Sequence, residues 1–170
     1  PTDALNLLSV LAPSVVAANL IVCRMLVDEL EGLPLAIQVA GRLLHSEADR
    51  GFAIDQLLLE IREGSRILQA KAPSDRTDLD EVTTPTVAAL LRRSTDVLDA
   101  DVRERFAYLG AFAPKPARFR ISDVAAIWGD CDTVQTLRVL IDRGLVEPAG
   151  VDRFQIHALL VMHARALAGV

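Results

Sequence analysis

Apolar residues recur every three or four positions along most of the chain, and the places where that rhythm lapses divide it into elements. A first amphipathic helix is predicted from Thr2 or Asp3 to Leu11, just before Pro13. A second spans Val15 to Glu31, with Val16, Leu20, Cys23, Val27 and Leu30 on one face. Gly32 and Pro34 then break the pattern. Glycine can take the left-handed conformation that ends a helix, and a proline at the first position of the next lacks only an N–H that the helix does not need. The third helix carries Leu35, Ile37, Val39, Ala40, Leu43 and Leu44. Its small residues Ala36, Ala40 and Gly41 allow a neighbouring backbone to come close, and Pro34 is held rigidly at an exposed corner. A fourth helix is expected from about Phe52 to Ile61, with Ile54, Leu57, Leu58 and Ile61 on one side. Four short helices with brief connections read as a small antiparallel bundle over residues 1–72.

Between Lys71 and Thr84 the sequence is polar, acidic and without period, which predicts a linker at 73–83. Pro85 opens a helix through Val87, Leu90, Leu91 and Val97. Asp99 or Asp101 caps the next, which carries Val102, Phe106, Tyr108 and Leu109. Ser122 is expected to cap a helix over Asp123–Trp128. Asp132 or Thr133 starts another, with Val134, Leu137, Leu140 and Ile141 inward and Gly144 at its end. Leu145–Glu147 and Arg153–Ile156 are short strands joined by the turn-forming residues 148–152, and a last helix runs from about Ala158 to Leu167. Helix, helix, hairpin, helix is the order of a winged helix, expected over 84–170. The fold class is therefore mainly α: a small helical bundle followed by a winged-helix domain with a short β-hairpin.

Composition narrows the function. The chain is 51% hydrophobic but only 4% aromatic, which suits close helix packing and suggests surface that meets further domains. Asn19 and Arg24 interrupt the longest apolar run, so no membrane span is expected. The sequence opens on no charged-then-apolar leader, and a cytoplasmic protein is the expectation. Cys23 and Cys131 are in no pair motif and read as free thiols. His45, His157 and His163 have no spacing that places two on one helical face, so no metal site is expected. Residues 1–81 hold 7 of the 18 Lys and Arg against 13 of the 23 Asp and Glu, and residues 82–170 hold the other 11 against 10. Neither half is the basic surface that nucleic-acid binding requires.

The stretch Gly32-Leu33-Pro34-Leu35-Ala36-Ile37 resembles the GLPLA motif of the NB-ARC regulatory ATPases of the STAND class. Further along, Leu90-Leu91-Arg92-Arg93-Ser94 with Val97-Leu98 resembles the family's run into its winged helix. Phe106 to Phe112 resembles a core helix there, and Arg143-Gly144-Leu145-Val146-Glu147 the passage into the wing. Phe154-Gln155-Ile156-His157-Ala158-Leu159-Leu160 stands where the family has a Met-His-Asp motif. The resemblance implies that Pro34, with Leu33, lies against the adenine of a bound ADP or ATP, and that His157 donates an N–H to its β-phosphate. It implies an upstream P-loop domain and a downstream sensor domain as partners, and oligomerisation on activation. The chain departs from the family at Ala158, in place of the aspartate that helps lock the ADP state, and at Ile156, in place of methionine.

The catalytic machinery of such an ATPase is absent from this sequence. A P-loop ends in Gly-Lys-Ser/Thr, whereas the only lysines, Lys71 and Lys115, do not follow glycine. No apolar strand ends in an aspartate for magnesium. The expectation is a regulatory module that is not itself an enzyme. The alternative is a winged-helix DNA-binding domain whose recognition helix, Thr133–Arg143, offers Gln135, Thr136, Arg138 and Arg143. The lid and winged helix of an origin-binding AAA+ protein share the element order but not the motif at 32–37. An independent acid/base site could draw on Glu60, Glu63, Asp142 and His163, but no spacing selects them.

Overall fold

The computed structural model describes residues 2–51, 54–70, 83–112, 117–129 and 132–169. Phe52, Lys71, Lys115, Cys131 and the predicted linker at 73–83, except Thr83, lie outside them. The fold is mainly helical with a small antiparallel sheet, as the periodicity predicts. Among the described residues the helices are α1 (Thr2–Leu11), α2 (Pro13–Ala18), α3 (Leu20–Glu29), α4 (Pro34–Asp49), α5 (Ile54–Ala70), α6 (Pro85–Asp96), α7 (Ala100–Tyr108), α8 (Ile121–Trp128), α9 (Thr133–Asp142) and α10 (Ala158–Ala168). The strands are β1 (Ala117–Arg120), β2 (Glu147–Gly150) and β3 (Arg153–Ile156), and a 3-10 turn spans Leu109–Ala111. Contacts divide the chain into two compact units that part between Ser94 and Thr95, inside α6. Thr83 to Ser94 therefore pack with the first unit, whereas the sequence reading places residues from 84 onward in the second segment.

In the first unit α4 is the central element. Ala36, Ile37, Val39, Ala40, Gly41, Leu43 and Leu44 are all buried. The close approach foreseen for its small residues is made by α1: a Cβ on Gly41 would lie 2.7 Å from the Cβ of Leu11. The single helix expected over Val15–Glu31 is instead two. Asn19 leaves the helical region (φ −136°, ψ 44°), and its side-chain amide donates to the carbonyl of Val15 at 3.3 Å. Asparagine mid-helix competes in this way with the backbone ladder. The break shifts the phase of the apolar stripe. Val16, Cys23, Val27 and Leu30 are buried as predicted, but Leu20 turns outward at 44% exposure. α5 runs nine residues beyond the predicted end at Ile61, because Ser65 and Leu68 continue its buried stripe.

In the second unit α7, α10 and the 3-10 turn pack together beside α8 and α9. The sheet has the order β1-β3-β2, all antiparallel. β1 has no counterpart in the sequence reading, and β2 begins at Glu147 rather than Leu145, because the Leu145 and Val146 N–H groups go back to the Leu140 carbonyl of α9 at 2.9 and 3.4 Å. Pro148 is accommodated because β2 is an edge strand, where a missing N–H costs no ladder bond. Phe119 pairs with Phe154 on the inner face, and Phe112 stacks on Phe119 with ring centroids 5.2 Å apart. One end signal and one facing differ from expectation, while the Asp132 start of α9 is as expected. Ser122 lies inside α8, whose start is closed by the Asp123 carboxylate accepting the Arg120 N–H at 2.7 Å. In α9 Val134 faces outward while Thr133 and Thr136 are buried. Asp132 caps that helix by accepting the Gln135 N–H at 3.0 Å.

Candidate functional site

The Gly32–Ile37 corner lies in the first unit. α3 ends with the Gly32 N–H on the Val27 carbonyl and the Glu31 N–H on the Asp28 carbonyl, both at 3.0 Å. This is the six-to-one, five-to-two pairing that satisfies the last carbonyls of a helix. The residue that takes the left-handed role there is Glu31 (φ 55°), and Gly32 follows with φ 65°. The sequence assigns that role to Gly32 alone. Two successive left-handed residues reverse the chain within one turn, which is why the connection can be so short. Leu33 is extended (φ −64°, ψ 119°), as a residue before proline must be, and Pro34 is the first residue of α4. Ala36 and Ile37 are buried, while Leu33 and Pro34 are exposed and adjacent. The corner thus presents a small rigid apolar surface whose backbone is fixed on both sides.

His157 lies in the second unit, where β3 passes into α10. It is the N-cap residue of α10, with extended backbone (φ −70°, ψ 148°), and its ring Nδ1 accepts the Leu159 N–H at 3.2 Å. Its carbonyl accepts from Leu160 and Val161 at 2.9 and 3.0 Å. With Nδ1 accepting, the ring nitrogen left to donate to a further group is Nε2. The exposed ring therefore offers one N–H donor at the positive end of a helix. The first turn of α10 holds no acidic residue, with Ala158 following His157.

Glu60 is bonded to Arg93 at 2.5 Å, and Glu63 and Asp142 are exposed. His163 is buried with its Nε2 3.0 Å from the Thr95 hydroxyl. Glu60 and Glu63 are in the first unit and Asp142 and His163 in the second. Among the described residues no group of three His, Cys, Asp or Glu could hold a metal ion, and no helix is long and apolar enough to cross a membrane. The recognition-helix reach is smaller than its sequence suggests. Thr136 is buried and accepts from Arg105 at 2.8 Å, and Arg143 is buried too, which leaves Gln135 and Arg138 between Asp132 and Asp142.

An open cavity of about 530 Å³ in the second unit is lined by Leu98, Ala107 and Leu167, with Arg103, Glu104 and Tyr108 at its rim. Its polar groups are already engaged. Arg103 pairs with Asp96 at 3.1 Å, and the Tyr108 hydroxyl donates to Glu104 at 2.6 Å, which raises the phenol above its ordinary pKa. What sequence reasoning missed is the outer face of the sheet. Arg118, Arg120 and Arg153 stand there together, all exposed, and the Arg-Phe-Arg alternation over 118–120 is the signal that could have found them. No protein-family model matches the chain, and no curated protein matches it either.

Proposed function

We propose that the chain is the nucleotide-sensing, regulatory part of an NB-ARC-type signalling ATPase, closing over ADP or ATP held by an upstream P-loop domain. It hydrolyses nothing itself and acts by favouring one arrangement of the parent protein over another. The observation that carries this reading is the placement of His157: an exposed imidazole at the start of α10 whose Nδ1 is engaged by the Leu159 N–H and whose Nε2 is the nitrogen left for an anionic oxygen. The rigid pair Leu33 and Pro34 supplies an apolar face of the kind that packs on a flat base. With Ala158 in place of aspartate, the histidine carries the phosphate contact without a neighbouring carboxylate.

A switch of this kind works only if the nucleotide contacts one arrangement better than the other. A hydrogen bond to a charged phosphate contributes about 1.5–3 kcal/mol, which corresponds to about tenfold to a hundredfold in retention. In the protein that carries the P-loop domain, His157→Ala is expected to speed ADP release by about tenfold or more. Unchanged retention, followed with a fluorescent ADP, overturns the role given to His157. This chain alone is expected to bind nucleotide weakly or not at all, because most contacts would lie upstream.

A further inference from the structure

The three arginines on the outer face of the sheet are placed by register. Arg118 is opposite Gln155 and Arg120 is opposite Arg153. The Arg120 N–H goes to the Asp123 carboxylate while the Ile121 N–H goes to the Asp152 carbonyl at 3.3 Å, so Arg120 and Arg153 form a non-hydrogen-bonded pair. Such pairs bring their side chains closest, with Cα atoms about 4.5 Å apart. Arg118 is the diagonal neighbour of Arg153 on the same face. Like charges directly opposite on a sheet are destabilising. Among the described residues no carboxylate pairs with any of the three, although Asp123 and Asp152 are close in sequence to Arg120 and Arg153. Among the described residues the acidic side chain on this face is Glu147, which is on the far strand and accepts from Gln155 at 2.8 Å. Beneath them Phe119, Phe154 and Ile156 hold the strands to the core, so the face cannot turn inward to relieve the charge.

We propose that this face, built by β1 and β3, is a docking surface for an extended acidic polypeptide segment. Charge complementarity names the partner and spacing refines it. Residues two apart on a strand repeat about every 6.6–6.8 Å, so Arg118 and Arg120 present guanidinium groups at the repeat of alternate side chains in an extended peptide. Each guanidinium can grip a carboxylate with two parallel N–H bonds. A nucleic-acid duplex fits less well. The helix that would enter its groove offers only Gln135 and Arg138 between two aspartates, and the chain as a whole carries net charge −5. This surface is separate from the nucleotide reading of His157 and can fail or hold without it.

The test is fluorescence anisotropy of a labelled peptide of alternating Glu and Ser titrated with the full chain. Saturable binding is expected, weakened about tenfold or more by Arg120→Ala with Arg153→Ala and unchanged by Arg138→Ala. A peptide of the same composition with its Glu residues in one block is expected to bind several-fold more weakly. Thermal melts guard against misfolding: removing the two opposed arginines relieves their repulsion and keeps or raises the melting temperature. No binding, equal binding by the double variant, equal binding of the block peptide, or tighter binding of duplex DNA lost with the same substitutions each overturns the proposal.

Discussion

Arg165 and Gly110 are locked to each other from both sides. The Arg165 guanidinium donates to the carbonyls of Gly110 at 2.7 Å and Phe112 at 2.8 Å, while a Cβ on Gly110 would stand 2.7 Å from the Arg165 backbone nitrogen. The neighbour is backbone and cannot rotate away, so α10 rests on the 3-10 turn at a distance only glycine permits. Gly110→Ala is therefore expected to destabilise the second unit by about 2 kcal/mol, the scale of forced overpacking. Arg165→Met, which keeps much of the stem but removes donors to two carbonyls, should cost a similar amount, about 2 kcal/mol. Urea denaturation followed by circular dichroism measures both. A Gly110→Ala variant as stable as the parent would show that α10 can lift off the turn.

A paired comparison in the first unit separates close packing from helix propensity. Alanine in place of an interior helical glycine gains about 1 kcal/mol in propensity. At Gly41 that gain is expected to be overwhelmed, because the new Cβ would meet Leu11 at 2.7 and 2.9 Å and Leu8 at 3.3 Å. At Gly64 the nearest atom is the Ala89 Cβ at 3.2 Å, which needs only a shift of a few tenths of an ångström. Gly41→Ala should lose about 1–3 kcal/mol and Gly64→Ala should stay within about 1 kcal/mol of the parent. Equal effects at the two positions would mean that α1 is not held against α4.

These glycines mark what can be read from a sequence and what cannot. The helical periods, the Pro34 start of α4 and the place of His157 at a strand–helix junction follow from local rules, since capping and amphipathicity involve residues within a turn or two. The split at Asn19 is not legible in that way, because the apolar stripe runs through it at acceptable spacing and the break is in the dihedrals of that one residue. β1 escapes notice because Phe119 is its one large apolar residue, with arginines on both sides. The basic face is harder still: it exists only once the register sets Arg120 opposite Arg153, 33 positions away.

Arg93 holds two carboxylates at once. It bonds Glu60 at 2.5 Å and lies 3.7 Å from Glu47, whose side chain is 7% exposed. Arg50, at 3.4 Å, is Glu47's other partner and is itself half exposed. Taking Arg93 away leaves Glu47 largely buried with only that weaker partner. Because the cluster is neither fully buried nor fully solvated, Arg93→Met is expected to cost about 2 kcal/mol, between the values for exposed and buried pairs. Chemical denaturation at low and high salt checks this. A loss below about 0.5 kcal/mol would place the cluster with ordinary surface ion pairs.

Burial raises the Cys23 thiol above its ordinary value of 9.0. The folded state thus favours the protonated, neutral form. Any contribution of this group to stability is complete below the unfolded-state pKa and is lost as pH rises through the higher folded-state value. Through neutral pH its effect on stability is flat. With Cys131→Ser in place to leave one thiol, alkylation of Cys23 at pH 8 should be at least about tenfold slower in the folded chain than in urea, since the thiolate is the reactive form. Equal rates would show that α3 opens readily.

Substitution can separate the capping role of His157 from the nucleotide role proposed for it. As the N-cap of α10 it accepts the Leu159 N–H, and asparagine is a good capping residue whereas alanine is a poor one. His157→Ala is expected to lower the stability of this chain by about 1 kcal/mol, while His157→Asn should stay within a few tenths of a kcal/mol. On the proposed nucleotide reading, the two variants should behave alike toward ADP in a parent protein that carries the P-loop domain, both releasing it faster, because asparagine spends its oxygen on the cap and its shorter side chain no longer carries an N–H to the place of Nε2. Stability measured by thermal melts and release measured by fluorescent ADP then give opposite groupings of the same variants. If release followed stability instead, with asparagine retaining ADP as histidine does, His157 would act on the nucleotide only by holding α10 in place.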